Sequence, residues 1–174
     1  MSYDFILKGG ILIDPQNGIH GIKDIAVSDG KVAAVGDELS GSNTVISAKG
    51  KAVIPGGIDP HVHCDSMLAS PAGFYMIAQT GITTIVDFAG PFSELTEAVV
   101  SGKGYGLNVA GINAVHPDKS EGLQLSRGTV EGQLEQALTE GALGLKLLGG
   151  HFPLSPEASR FAVDVANARK SMIA

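Results

Sequence analysis

At 174 residues, with 44% hydrophobic side chains, the chain can bury one core of ordinary size, which excludes a disordered segment. A net charge of −6 without any basic run excludes nucleic acid and anionic membranes as expected partners, because nothing is present to neutralise phosphates. The single cysteine, Cys64, excludes an intrachain disulfide, and neither a signal peptide nor an apolar stretch of about 18 residues is visible, so a cytoplasmic protein is expected.

Residues 1–52 read as short strands joined by turns. Phe5-Ile6-Leu7 and Ile11-Leu12-Ile13 flank Gly9-Gly10. Asp24-Ile25-Ala26-Val27 and Val32-Ala33-Ala34-Val35 flank Asp29-Gly30, a strong hairpin signal. Thr44–Ser47 and Ala52–Ile54 flank Lys49-Gly50-Lys51. The pattern predicts a small β-sheet module over 1–52.

From residue 53 to 174 the rhythm becomes strand, then helix. A strand over 53–58 is followed by a helix over 71–79, stopped by Gly81. The β-branched run 82–88 predicts a strand, and 93–100 a helix with Ser93 as N-cap. A strand over 107–115 precedes a helix over 129–139, ended by Gly141, and a strand over 142–148. Ser155 caps a last helix with Pro156 at its first position, running to about Lys170. Four strand–helix units in succession predict an α/β fold with a parallel sheet. A (β/α)8 barrel needs eight units over about 250 residues. The chain therefore reads as the first half of a barrel that ends directly after a helix; a complete open domain of four strands is the alternative.

Chemistry concentrates where the first of these strands meets its loop. Pro55-Gly56-Gly57-Ile58-Asp59-Pro60-His61-Val62-His63 places two histidines at i and i+2. In a strand such side chains share a face, roughly 7 Å apart along the backbone. That suits two imidazoles gripping one metal ion such as Zn, Fe, Ni or Co; the bland alternative is one core histidine and one loop cap. Lys146 lies inside the apolar run Leu143-Gly144-Leu145-Lys146-Leu147-Leu148. Burial favours a neutral amine, which can take up carbon dioxide as a carbamate whose two oxygens bridge two metals. Otherwise the lysine extends to solvent at the strand end. Asp59 could orient a ligand or bond the turn backbone. Asp65, His151 and Asp87 are substrate-pocket candidates, each with a loop or capping role as its alternative. His116 is a weaker candidate, Cys64 reads as a passive neighbour, and His20 as an exposed turn residue.

Together these residues resemble the amidohydrolase superfamily, in the cyclic amidohydrolase branch of dihydropyrimidinases (hydantoinases), dihydroorotases and allantoinases. Asp4–Gly10 and Asp29-Gly30-Lys31-Val32 look like the family's β-sandwich module. Pro55–Asp65 is similar to the first-strand signature, Gly81–Phe88 to the second strand, and Gly144-Leu145-Lys146 to the strand with the carbamylated lysine. The resemblance implies a (β/α)8 (TIM) barrel and two divalent metal ions, expected to be zinc. His61 and His63 would hold the more buried ion, and carbamylated Lys146 would bridge the pair. It further implies two histidines on the fifth and sixth strands and a general-base aspartate on the eighth, beyond residue 174.

By this resemblance the chain belongs to a hydrolase of a cyclic amide, imide or related non-peptide C–N bond, working through a metal-activated hydroxide. The resemblance also implies a small-molecule substrate and a homo-oligomeric intact enzyme. This chain alone is expected to hold metal weakly and turn over nothing. Two departures narrow the substrate. Dihydroorotases carry an arginine where Asp65 stands, which counts against that activity. Hydantoinases carry a tyrosine in the region of Gly149-Gly150-His151, which counts against a hydantoin. The competing readings are a non-catalytic scaffold relative, which would normally lose the histidine pair, and an α/β binding domain, for which no glycine-rich phosphate loop is present.

Overall fold

The computed structural model describes residues 2–64, 72–88, 90–101 and 103–174. The chain forms two compact units, one up to Pro55 and one over Gly56–Ala174.

The first unit is a five-stranded sheet. Strand β1 (Phe5–Asp14) pairs antiparallel with β2 (Ile19–Ser28), and β2 pairs antiparallel with β3 (Lys31–Gly36). The far side of β1 takes β4 (Val45–Ser47) and β5 (Ala52–Val53), both parallel to it. The β2–β3 hairpin turns at Asp29-Gly30, both at positive φ (52° and 69°), as a two-residue primed turn requires. The Asp4 carboxylate accepts a bond from the Asp29 amide at 2.8 Å and holds that turn. Gly9-Gly10 is not a turn between two strands. It is a bulge within one long strand, with a register shift between Leu7 and Gly10. Gly9, at φ 70°, turns its amide out of the ladder onto Asp24 Oδ1 at 2.9 Å. Asp24 is buried and also accepts from the Leu39 amide at 2.9 Å, so its carboxylate organises the bulge. Gly10 has no room for a side chain, because Val53 Cγ2 lies 2.6 Å from where a Cβ would sit. His20 is exposed, but in β2 opposite Ile13 rather than in a turn.

The second unit is a mixed α/β arrangement. Its elements in order are β6 (Gly57–Val62), α1 (Ala72–Ala78), β7 (Ile82–Asp87), α2 (Phe92–Ser101), β8 (Asn108–Gly111) and β9 (Asn113–Ala114). They continue with α3 (Arg127–Thr139), β10 (Gly144–Lys146), α4 (Pro156–Ala168) and β11 (Met172–Ile173). Every strand pair is parallel: β6–β7–β8 form one three-stranded sheet and β9–β10–β11 another. Strands that follow one another in chain order, with helices between them, give such parallel neighbours.

Four details depart from the residue pattern. The expected strand over 53–58 is divided: Val53 joins the first unit, and β6 starts only at Gly57 and runs through His61. A side chain at Gly56 would collide with Thr83, so the crossing into β6 demands glycine. The expected strand over 107–115 breaks at Ile112, where the backbone changes partner from β7 to β10. Ser93 is not the N-cap of its helix. α2 begins at Phe92, whose amide is met at 2.9 Å by the Asn113 side chain. Finally, the chain does not stop on a helix: β11 follows α4 and pairs with β10. Gly144 permits this, since a Cβ there would strike the Met172 backbone.

Two hydrophobic clusters fill this unit. One gathers Val62, Cys64, Phe74, Ile85 and Leu95 around β6 and β7. The other gathers Val115, Leu125, Val130, Leu134, Leu145, Ala158, Ala162 and Val165 around β10, α3 and α4. Among the described residues, no helix is long and apolar enough to cross a membrane.

Candidate functional site

The site grows from the C-terminal ends of β6, β7 and β10. Val62 points into the first hydrophobic cluster, so the pleat turns His61 and His63 to the opposite side. The Asp59 carboxylate accepts a bond from the His61 amide at 3.1 Å, fixing the approach to the pair; among the described residues it bonds backbone, not a ring. His61 Nε2 and His63 Nε2 lie 3.2 Å apart. Lys146, the last residue of β10, brings Nζ to 3.1 Å from His61 Nε2, across 85 residues of sequence. Three nitrogens from two distant segments thus converge on one point.

The environment keeps this point suited to lone-pair donation. The pKa of His63 is lowered from its ordinary value, first by partial burial of the ring and then by the neighbouring charges of Lys146 and His61. Asp87 acts in the opposite direction. A histidine that resists protonation keeps a lone pair available. The spacing is also suitable: a tetrahedral ion bound at about 2.0–2.1 Å by two nitrogens separates them by roughly 3.3 Å. The residues present therefore fit a metal ion in donor type and distance. Among the described residues there is no group of three or more His, Cys, Asp or Glu that could hold one.

The other predicted residues are placed as follows. Asp87 ends β7 and is 2% exposed; its Oδ2 accepts a bond from the Cys64 amide at 2.8 Å and so grips the backbone just after His63. Cys64 is buried in the cluster with Phe74. His151 is exposed in the turn after β10, where its amide bonds Leu148 O. Among the described residues, no hydrogen bond joins its ring to His61, His63 or Lys146. His116 is exposed, and its backbone exchanges two bonds with the Gln133 side chain. Asp65 lies outside the described residues.

One participant was missed by sequence reasoning. Phe88, the first residue beyond β7 and 5% exposed, stacks on His61 with ring centroids 4.3 Å apart and planes 21° apart. The same ring lies 5.0 Å from Lys146 Nζ. No sequence signal marks it: its level in the sheet is set by its amide, which donates to Val62 O, between the two histidines.

No family model matches the chain. An allantoinase of Escherichia coli O1:K1 / APEC is 36% identical over 104 residues, 57% of this chain and 22% of the allantoinase. An adenine deaminase of Listeria welshimeri is 36% identical over 84 residues, 48% of this chain and 14% of the deaminase. A D-aminoacylase structure, described as defining a subset of amidohydrolases, shares the fold with a TM-score of 0.76 at 23% identity, over 98% of this chain and 44% of that one. A second D-aminoacylase structure, concerned with its binuclear metal centre, gives 0.75 at 24% identity over the same shares. An N-acyl-D-glutamate deacylase from Bordetella bronchiseptica, complexed with zinc and a phosphonate inhibitor, gives 0.74 at 22% identity, over 99% of this chain and 44% of that one. The chain is a relative of the amidohydrolase superfamily. It spans less than half the length of each of these proteins.

Proposed function

We propose that the chain supplies the first metal ligands of a hydrolase that cleaves a cyclic amide, imide or related non-peptide C–N bond of a small molecule. The observation that carries this reading is the convergence of His61 Nε2, His63 Nε2 and Lys146 Nζ at separations of 3.2 and 3.1 Å. The similarity to an allantoinase favours the cyclic amidohydrolase branch. In this reading Gly56–Ala174 forms the first part of a (β/α)8 barrel, which its parallel strands in chain order support. The strands before Pro55 form part of a β-sandwich module. The protein is cytoplasmic and homo-oligomeric.

His61 and His63 would hold one divalent ion, and Lys146, carbamylated, would bridge it to a second. Zinc is favoured by the zinc complex of the similar deacylase. Such ions supply a water of near-neutral pKa and polarise the scissile carbonyl. The chain's own residues prepare this site. Partial burial and the neighbouring charges lower the pKa of His63, which favours metal over a proton at its lone pair. The Asp59 and Asp87 carboxylates fix the backbone on either side of the histidine pair. Asp65 and His151 would border the substrate, while Asp87 acts from beneath. The general base would come from outside these residues.

Metal analysis on protein purified without chelator tests the reading. Zinc should bind, and His61→Ala and His63→Ala should each weaken it at least about tenfold. Unchanged zinc binding in both variants would refute the proposal. Intact-mass analysis should find added carbon dioxide on the wild type and none on Lys146→Ala.

A further inference from the structure

The sequence reading treats Phe88 only as the end of a strand. In the structure it is the one described side chain in ring contact with both His61 and Lys146. We infer that Phe88 is a positioning residue: a buried aromatic platform that fixes the plane of the His61 imidazole and confines the Lys146 amine beside it. The inference rests on the metal-centre reading for its functional meaning, but its geometry stands independently.

A histidine at a strand end can turn about two side-chain torsions, so its Nε2 can sweep far from a fixed point. A metal site needs that nitrogen placed within fractions of an ångström. In many metal sites a hydrogen bond to the other ring nitrogen does this. Here an aromatic face offers a different constraint. Offset-stacked rings prefer centroid separations of about 4.5–7 Å, and the 4.3 Å separation with near-parallel planes places His61 in close stacking contact. Phe88 cannot easily yield. It is 5% exposed, and its amide is tied to Val62 O at 2.9 Å, the carbonyl between the two histidines. The residue before it, Asp87, bonds the Cys64 amide. The end of β7 therefore braces both sides of the His61-Val62-His63 segment, by backbone at Val62 and Cys64 and by ring at His61.

Lys146 meets the same ring. In the metal-free chain, with Lys146 uncarbamylated, its Nζ lies 5.0 Å from the ring centroid, within the about 6 Å over which an ammonium is attracted to an aromatic face. One side chain from β7 thus links a ligand candidate on β6 with one on β10. The distance between Nζ and His61 Nε2 is then set by a shared neighbour, not by the two flexible side chains alone.

The test uses the chain with its metal removed, followed by zinc titration. In the metal-free chain, the His61 ring protons should be displaced upfield by the Phe88 ring current relative to those of exposed His20. A nuclear Overhauser contact should join the two rings. Phe88→Leu should abolish the displacement and weaken zinc, measured by competition with a chromophoric chelator, about tenfold or more. Phe88→Tyr keeps a ring and should restore both to within about twofold of wild type. Unshifted His61 protons in the wild type, or a leucine variant with unchanged shift and zinc affinity, would overturn the inference. If the leucine variant does not fold, the wild-type ring-to-ring contact decides: its presence supports the platform and its absence refutes it. Failure of the metal-centre reading is told apart by His61→Ala. That variant would leave zinc affinity unchanged while the ring-current result in the metal-free wild type still stood.

Discussion

The two clusters of the second unit are built differently. Around β10, Leu145 is fully buried between α3 and α4, and both helices open on serine caps, Ser126 accepting from Thr129 and Ser155 from Ala158. Arg169 and Glu135 join the two helices by an ion pair. Around β6 the packing is looser at its margins. α1 has seven residues and leaves Tyr75 and Met76 exposed, and Ile58 within β6 is 69% exposed. Lys146 stands on the closed side, while His61 and His63 stand on the open one. The candidate site is therefore assembled from a well-anchored donor and two donors whose support depends on β7.

The largest expected effect comes from breaking the closed side. Leu145→Ala removes a fully buried side chain and should cost about 2–5 kcal/mol, read as a lower denaturation midpoint. If the two sides are unequal as described, hydrogen exchange in the wild type should show stronger protection for α4 amides than for α1 amides. Equal protection would remove the distinction.

A smaller effect is expected from Ser155→Ala, which deletes the bond to the Ala158 amide at 3.1 Å. It should cost about 1 kcal/mol, and Ser155→Asp should recover most of it. Thermal denaturation of the three proteins checks the order.

The smallest effects separate the two sides by pH. On the open side, His63 has a lowered pKa, so as the pH falls the unfolded chain takes up that proton first. The stability linked to it is present above about 6.5, the ordinary histidine value, and is lost as the pH falls below it. On the closed side, hydrogen bonds from Ser120 lower Asp118, and those from Ser126 lower Glu121. Their contribution is present above the ordinary carboxylate range near 4 and is lost only below it. Residue-resolved exchange between pH 8 and 3 should show the β6 region weakening first. His63→Gln should flatten the upper step alone.

Much of this arrangement was legible because it is local. Asp29-Gly30, Ser155-Pro156, His61-Val62-His63 and the isolated Lys146 each announce themselves within a few residues, and the first two fall on the turn and the helix start expected of them. What stayed hidden depends on partners far along the chain. Gly9-Gly10 reads as a turn unless Asp24 is known to receive its amide, 15 residues away. Val53 reads as a barrel strand unless the gap above Gly10 is known to receive it. β11 is only two residues long, too short to show a period, and is fixed by its pairing to β10. Phe88 is one more apolar residue until the ring of His61 is laid upon it.

The break at Ile112 has a consequence of its own. Most neighbouring strands are joined by loops that absorb an added or lost residue with little effect. Between β8 and β9 there is a single residue, and the next one, Asn113, both caps α2 and pairs with Leu145. An insertion there would shift the register toward β10, turn Asn113 to the other face and leave the Phe92 amide without its acceptor. This one-residue joint is the place in the unit where a change of chain length should be least forgiven.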